Sequence, residues 1–317
     1  MSEVQLKSIL DNDFYKITMQ NAVVKLFPNE KVKYQFINRG KHHFPNGFDA
    51  ALRRSIDAMA QLQLTSNEKT YLKENCPYIA LPYLDFLEGY RYDPSEVTII
   101  QRGNDLEVTV EGLWYRTILW EVPLLALISE LHYEMNRMER DSNDEVMQTT
   151  LEKAEKLNEL EVTFAEFGTR RRHSYQVHDL VVNALIKSKN SKFIGSSNVH
   201  FAMKYGVKPI GTHAHEWFMF HAAEFGFKMS NAIALENWST STAAISAWHF
   251  QIPIPPKFSF SSSIRNLPNC LTVYVTTVVI LWSLQIKPLS ITKNMALIRF
   301  SSTLFSQMGL IWKKWKK

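Results

Sequence analysis

Apolar and polar positions change their period along this chain, and those changes predict its elements. Lys31–Phe36 alternates in the manner of a half-buried strand, whereas Ala50–Leu62 repeats its apolar residues at helical spacing. Val97–Gln101 and Leu106–Val110 are rich in strand-forming residues and flank Gly103, Asn104 and Asp105, which predicts two strands joined by a turn. Pro123–Met138 predicts an apolar helix. Asn143–Leu160 predicts a polar one, because Glu152 and Lys156 stand four apart and no Pro or Gly interrupts it.

From Val162 a rhythm sets in. Val162–Phe167 predicts a strand, and Ser174–Lys187 a helix. Phe193–Gly195 is a short buried strand, and Asn198–Tyr205 a helix closed by Gly206. Pro209, Ile210 and Gly211 form a third strand end, which leads into a helix from His213 to Phe225. Strand and helix alternating through short connections imply a parallel sheet or an α/β barrel. We therefore expect an α/β fold: an N-terminal α+β domain over residues 1–121, then the first part of a barrel domain over 122–238.

The residues with chemical potential follow the strands, where parallel α/β folds place their ligands. Gly168 and Thr169 precede Arg170, Arg171 and Arg172; Ser196, Ser197 and Asn198 follow the second strand; Thr212, His213, His215 and Glu216 follow the third. Three arginines alone could be a solvated loop or a patch for RNA. Behind a glycine that permits close approach, they also suit a carboxylate or a phosphate. His213 and His215 admit three readings. Two histidines at i,i+2 after a barrel strand suit a metal-dependent hydrolase. One histidine beside a carboxylate suits a nucleophile toward phosphate. The plainest reading is a helix start whose histidines only cap and fill. Thr212 can cap that helix, and its N-terminus would then favour an anion. The three polar residues 196–198 offer hydroxyls and a cap to a phosphate in the same way.

Charge changes the picture. The chain carries a net +5, which suggests nucleic acid until its distribution is considered. Residues 239–317 hold nine Lys or Arg and no Asp or Glu, so the first 238 residues carry 27 basic against 31 acidic side chains, a net −4. The basic character belongs to the tail, and we expect no nucleic-acid partner. Cys76 and Cys270 are far apart in the chain and exclude a disulfide scaffold, which favours a reducing, cytoplasmic setting. No basic stretch and apolar run follows Met1, so no secretory signal is expected. The apolar run Leu271–Leu284 has 14 residues, short of the roughly 20 that span a bilayer, and no membrane association is expected.

The strings DNDFYKITMQ (Asp11–Gln20), EFGTRRRHSYQVHD (Glu166–Asp179) and FIGSSNVHFAMKYGVKPIGTHAHEWFMFHAA (Phe193–Ala223) together closely resemble bacterial nicotinate phosphoribosyltransferases, from about Leu10 to Trp238. The resemblance implies a small α+β domain on an irregular type II phosphoribosyltransferase barrel, incomplete in this chain, and a homodimer with active sites at its interface. It implies nicotinate, phosphoribosyl pyrophosphate and ATP as substrates, with Mg²⁺ on the pyrophosphate. Tyr15 should reach the partner subunit's site and stack on the pyridine ring. Phe167 and Arg170 should supply the other wall and a charge partner, and Thr212 should touch nicotinate. His215 should be the histidine that ATP phosphorylates. Ser196, Ser197 and Asn198 should sit at the pocket rim. The metal-dependent hydrolase on His213 and His215 stands as the competing enzyme, and a non-catalytic truncated remnant as the competing non-enzyme.

The resemblance stops near Trp238, where the acidic residues also stop. A shifted reading frame accounts for both. Joining the last base of each tail codon to the first two of the next permits GVRHDSGDPLE-like and GDLGMALSDTYTTEVF-like strings. Tryptophan has one codon, so Trp248-His249 then forces Ala, and Trp312-Lys313 and Trp315-Lys316 each force Glu. On this reading residues 239–317 are out-of-frame translation, should be irregular, and should leave the strand after Lys208 near an open edge.

Overall fold

The computed structural model describes residues 4–38, 40–188 and 192–241, together with the backbone of two strands at 296–298 and 308–314. The order of elements is α1 (Phe14–Leu26), β1 (Lys31–Asn38), α2 (Phe48–Met59), α3 (Ser66–Asn75), α4 (Leu81–Gly89), β2 (Val97–Arg102), β3 (Asp105–Leu113), α5 (Trp114–Thr117) and α6 (Glu121–Met135). Then follow α7 (Asn143–Glu159), β4 (Phe164–Glu166), α8 (Tyr175–Lys187), β5 (Phe193–Ser196), α9 (Val199–Tyr205), β6 (Lys208–Pro209), α10 (His215–Phe225), α11 (Ser230–Ser241), β7 (Ala296–Ile298) and β8 (Met308–Lys314).

Two open sheets organise the described residues. The first is antiparallel in the order β2-β3-β1-β8. Val32, Tyr34 and Phe36 of β1 alternate inward, as do Leu106, Val108 and Val110 of β3, and they meet a core that helices α1, α2 and α6 cover. The second sheet is parallel, in the order β6-β5-β4-β7, so the carboxyl ends of its strands face one way. This is the strand–helix alternation that the sequence implies. Gly195 makes the pairing of β5 with β6 possible: its φ is +149°, and a Cβ there would overlap the Lys208 carbonyl oxygen.

Among the described residues five helices were not expected, one of them the single turn α5. In α1, Phe14–Val23 are all buried, so no face alternates and no amphipathic stripe marks the helix. Helix α3 opens with a capping box in which Thr65 accepts from the Glu68 amide and Glu68 accepts from the Thr65 amide. Helix α4 carries proline in its first turn. Helix α11 runs through Trp238 to Ser241, so Trp238 is not the end of an element.

The tail corrects one expectation. Ala296–Ile298 lies parallel to β4, and Met308–Lys314 pairs antiparallel with β1 from Val32 to Asn38. The physical reason is that main-chain hydrogen bonds to a free strand edge do not depend on which side chains the incoming strand carries. The remainder of residues 242–317, including Leu271–Leu284 and Cys270, lies outside the described residues. β6 stands at a sheet edge, as expected. Among the described residues no helix is long and apolar enough to cross a membrane.

Candidate active site

The carboxyl ends of β4, β5 and β6 bring the three sequence clusters together, and α1 lies against them. The amide of Phe14 donates to the Ser197 carbonyl at 2.7 Å, and Asp13 and Asn198 form an isolated antiparallel bridge. An opening turn rich in charge is thereby pinned to the strand ends. Asp11, Asn12, Asp13 and Lys16 are all buried to 1% exposure or less, a burial that charged side chains reach only when paired.

Each carboxylate has its partner. Asp11 takes both terminal nitrogens of Arg172, at 2.7 and 3.0 Å, and the Asn198 amide at 2.7 Å. Arg172 Nε also donates to Glu130 at 2.5 Å. Burial alone would raise the Asp11 carboxyl, but the Arg172 guanidinium outweighs it and holds it below the usual range. Asp13 accepts from Ser197 Oγ at 2.8 Å and faces Arg170 Nε at 3.6 Å. There burial wins over Arg170, and the carboxyl is raised. Glu166 closes β4: it accepts from the Gly168 amide and from Ser196 Oγ at 2.6 Å, with His178 Nε2 at 3.0 Å.

Ser196, Ser197 and Asn198 are therefore fully buried, and their side chains are engaged with Glu166, Asp13, Asp11 and Thr169. Asn198 also caps α9, accepting from the Phe201 amide at 3.1 Å. In the structure these three frame the strand ends.

Arg170 sits on a single helical turn after β4. It donates from Nη1 to Glu121 at 3.1 Å, and its guanidinium carbon lies 5.9 Å from the centre of the Tyr15 ring of the same chain. About a quarter of its side chain (26%) stays exposed, so the guanidinium remains within reach of a ligand. Tyr15 is buried, and burial raises its phenol above the ordinary range. Within its own chain the Tyr15 ring packs beside Arg170. Phe167 and Thr212 are half-buried at their strand ends.

The two histidines part company. His213 is buried, with its ring 4.3 Å from the Trp238 ring and 5.9 Å from that of Phe218. Burial drives its pKa down to about 3, so it is neutral at any physiological pH. His221, buried against Trp217 and Phe27, is lowered to about 4 for the same reason. His215 is exposed at the first position of α10. A group added to it would meet the unsatisfied amides of the helix N-terminus, which favour negative charge. Thr212 does not cap α10; Ala214 holds the cap position. Among the described residues no group of three His, Cys, Asp or Glu could hold a metal ion, and the hydrolase reading gains no support.

Sequence reasoning did not single out Asp11, Asp13, Lys16, Glu121, Glu130 or Glu166. Glu216, considered only as a neighbour of His215, is fully occupied. It accepts from Lys16 Nζ and Tyr34 Oη at 2.5 Å each, and from Trp114 Nε1 at 2.7 Å. The available signal was a cluster of charges inside a segment otherwise apolar enough to be core.

A cavity of about 380 Å³ opens beside α7 and α8, lined by Arg140, Lys153, Arg171 and His173 among others; Tyr15, Phe167, Arg170, Thr212 and His215 are not part of it.

Comparison with known proteins bears on this geometry. A model of the nicotinate phosphoribosyltransferase (NAPRTase) N-terminal domain matches residues 10–129, and the NAPRTase family model matches residues 162–251. The second match runs past Trp238, where the resemblance was expected to end. A Chromohalobacter salexigens nicotinate phosphoribosyltransferase is 59% identical over 233 residues, 74% of this chain and 60% of that protein. Its counterpart from Desulforapulum autotrophicum is 44% identical over 236 residues, 74% of this chain and 61% of that protein. The crystal structure of the Porphyromonas gingivalis enzyme superimposes with a TM-score of 0.73 at 42% identity, covering 76% of this chain and 62% of that one. The chain thus spans about 60% of the length of these relatives.

Proposed function

From the premise that this chain belongs to the nicotinate phosphoribosyltransferase family, we propose that its protein transfers a phosphoribosyl group to nicotinate in NAD salvage. The pyridine nitrogen forms a bond to carbon 1 of phosphoribosyl pyrophosphate as the bond to pyrophosphate breaks, giving nicotinate mononucleotide. Positive charge develops on the sugar, so catalysis rests on holding the ring and both charged ends in place. Tyr15 reaches into the partner subunit's site to stack on the pyridine ring, Phe167 supplies the other wall, Arg170 pairs with the nicotinate carboxylate, and Thr212 contacts the ring. In a coupled step the γ-phosphoryl of ATP passes to a ring nitrogen of His215 with loss of its proton, and ADP leaves. The observation that carries the reading is the Arg170 guanidinium over the Tyr15 ring at the end of β4, still open to solvent.

Ser196, Ser197 and Asn198 act in this reading by fixing α1 and β4, which carry Tyr15 and Arg170. Magnesium accompanies the pyrophosphate in the family, but the described residues do not fit it: Asp11, Asp13, Glu121 and Glu166 are all committed to cations or hydroxyls. The enzyme is proposed as a cytoplasmic homodimer, with the remaining walls of the site supplied by the partner and by the portion of the relatives' length that this chain lacks. Residues 239–317 are proposed to be out-of-frame translation, tested by sequencing the DNA around the Trp238 codon.

Titration calorimetry tests the substrate. Nicotinate should bind about 10- to 100-fold more tightly than nicotinamide, the difference between a charge-assisted bond to Arg170 and a neutral one. Arg170→Leu should erase that preference. Both are measured on the chain with its frame restored at the Trp238 codon, where equal affinities would overturn the assignment.

A further inference from the structure

Four segments far apart in sequence meet in one buried chain of charge. Glu216 follows His215 in the first turn of α10. Its carboxylate holds Lys16, whose ammonium is fully buried and also pairs with Glu121. Glu121 in turn accepts from Arg170 Nη1 at 3.1 Å. The order is His215-adjacent Glu216, Lys16, Glu121, Arg170. Tyr34 and Trp114 donate to the same Glu216 oxygen and fix the carboxylate in place. Lys16 also lies 5.6 Å from the centre of the Tyr15 ring, so the chain touches both the aromatic wall and the cation of the site.

We propose that Lys16, Glu121 and Glu216 form a relay that transmits the charge on His215 to Arg170. The proposal rests on the reading of His215 as the phosphorylated residue. It makes Lys16 and Glu121 positioning residues, since neither is assigned a contact with substrate.

The physics is that of a small number of charges in a poorly screened interior. Two carboxylates, Glu121 and Glu216, share the one Lys16 ammonium. A phosphate on His215 adds roughly 1.5 to 2 negative charges at pH 7, one residue from Glu216. The Glu216, Lys16 and Glu121 charges on which it acts are buried, and buried charges interact more strongly than in water. Lys16 is drawn toward Glu216 and the phosphate. Glu121, with less of the ammonium, tightens on its other cation, Arg170. A guanidinium held at Nη1 by Glu121 and at Nε by Asp13 presents its remaining edge in one orientation. Nicotinate then meets a preorganised partner, and less ordering cost is left to binding. The relay thus gives ATP a route to substrate affinity without a change of fold.

The test uses the chain with its reading frame restored at the Trp238 codon, as the parent, and three substitutions in it, Lys16→Met, Lys16→Arg and Glu121→Gln. Radiolabel from ATP on His215 and nicotinate affinity with and without ATP are read side by side. Lys16→Met and Glu121→Gln should retain the label while the ATP-dependent gain in nicotinate affinity falls at least tenfold. Lys16→Arg, which keeps the charge, should restore part of that gain. Full ATP coupling in either neutral variant would overturn the relay. Glu121→Gln keeps a hydrogen-bonding group in place and serves if Lys16→Met does not fold. A second readout does not depend on activity: the Nε signal of Arg170 in ¹⁵N-arginine NMR. His215→Glu, a charge without a phosphate, should shift that signal in the parent chain and leave it unmoved when Glu121→Gln is also present. If the parent chain takes no label, the phosphohistidine reading fails by itself. The Arg170 signal then decides the relay, supported by a shift and overturned by its absence.

Discussion

With His215→Asn, incorporation of phosphate from labelled ATP should fall to background, a loss of the whole signal. His213→Asn should leave the label in place. The two histidines stand two residues apart and could not be separated by spacing, but their surroundings differ. His215 is exposed at the N-terminus of α10, where backbone amides stabilise an added anion. His213 lies under Trp238 with its pKa pushed down to about 3, and a phosphoryl group there would have to displace core. His213→Asn should therefore show itself in stability, about 1–3 kcal/mol in a denaturation curve, as a misfit in packed aromatic surroundings. Label lost from His213→Asn and kept in His215→Asn would reverse the assignment.

Arg172→Gln should be the most damaging single change to the fold. One guanidinium serves Asp11 in a two-pronged bond and Glu130 through Nε, and all three groups are buried. Removing it strands two carboxylates away from water, a loss on the order of 3–5 kcal/mol, comparable to the whole stability of many domains. Lys should not rescue it, because a point ammonium cannot meet two carboxylates with the fork geometry. Chemical denaturation measures this directly. A variant within about 0.5 kcal/mol of the parent would mean that this junction does not hold α1 to the strand ends.

Much of this architecture can be read from spacing. The alternation of β4, α8, β5, α9, β6 and α10 follows from short apolar runs separated by caps and glycines, and Gly195, Gly206 and Asn198 stand where close approach and capping demand them. Helix α1 could not be read this way, since burial on every side removes the apolar stripe by which a helix announces itself. The site divides similarly. Arg170 and His215 are legible because their residue types and positions after strands suggest chemistry. The partners that orient them are not: Lys16, Glu121 and Glu216 lie 105 and 95 residues apart in sequence, and only the fold brings them within hydrogen-bonding reach. The same holds for Ser196 and Ser197. Their hydroxyls suggest a phosphate ligand in sequence, yet in the folded chain Glu166 and Asp13 already take them. Met308–Lys314 shows the converse, a segment expected to be irregular that pairs antiparallel with β1.

The most direct measurement is product formation. The 317-residue chain and a version with one base restored at the Trp238 codon should be incubated with phosphoribosyl pyrophosphate and either nicotinate or nicotinamide, with and without ATP, and the nucleotide product quantified by chromatography. The restored chain should make nicotinate mononucleotide, faster with ATP, and should favour nicotinate over nicotinamide by at least tenfold. The 317-residue chain should make far less. A restored chain that makes no nicotinate mononucleotide, or that turns over nicotinamide equally well, would contradict the account.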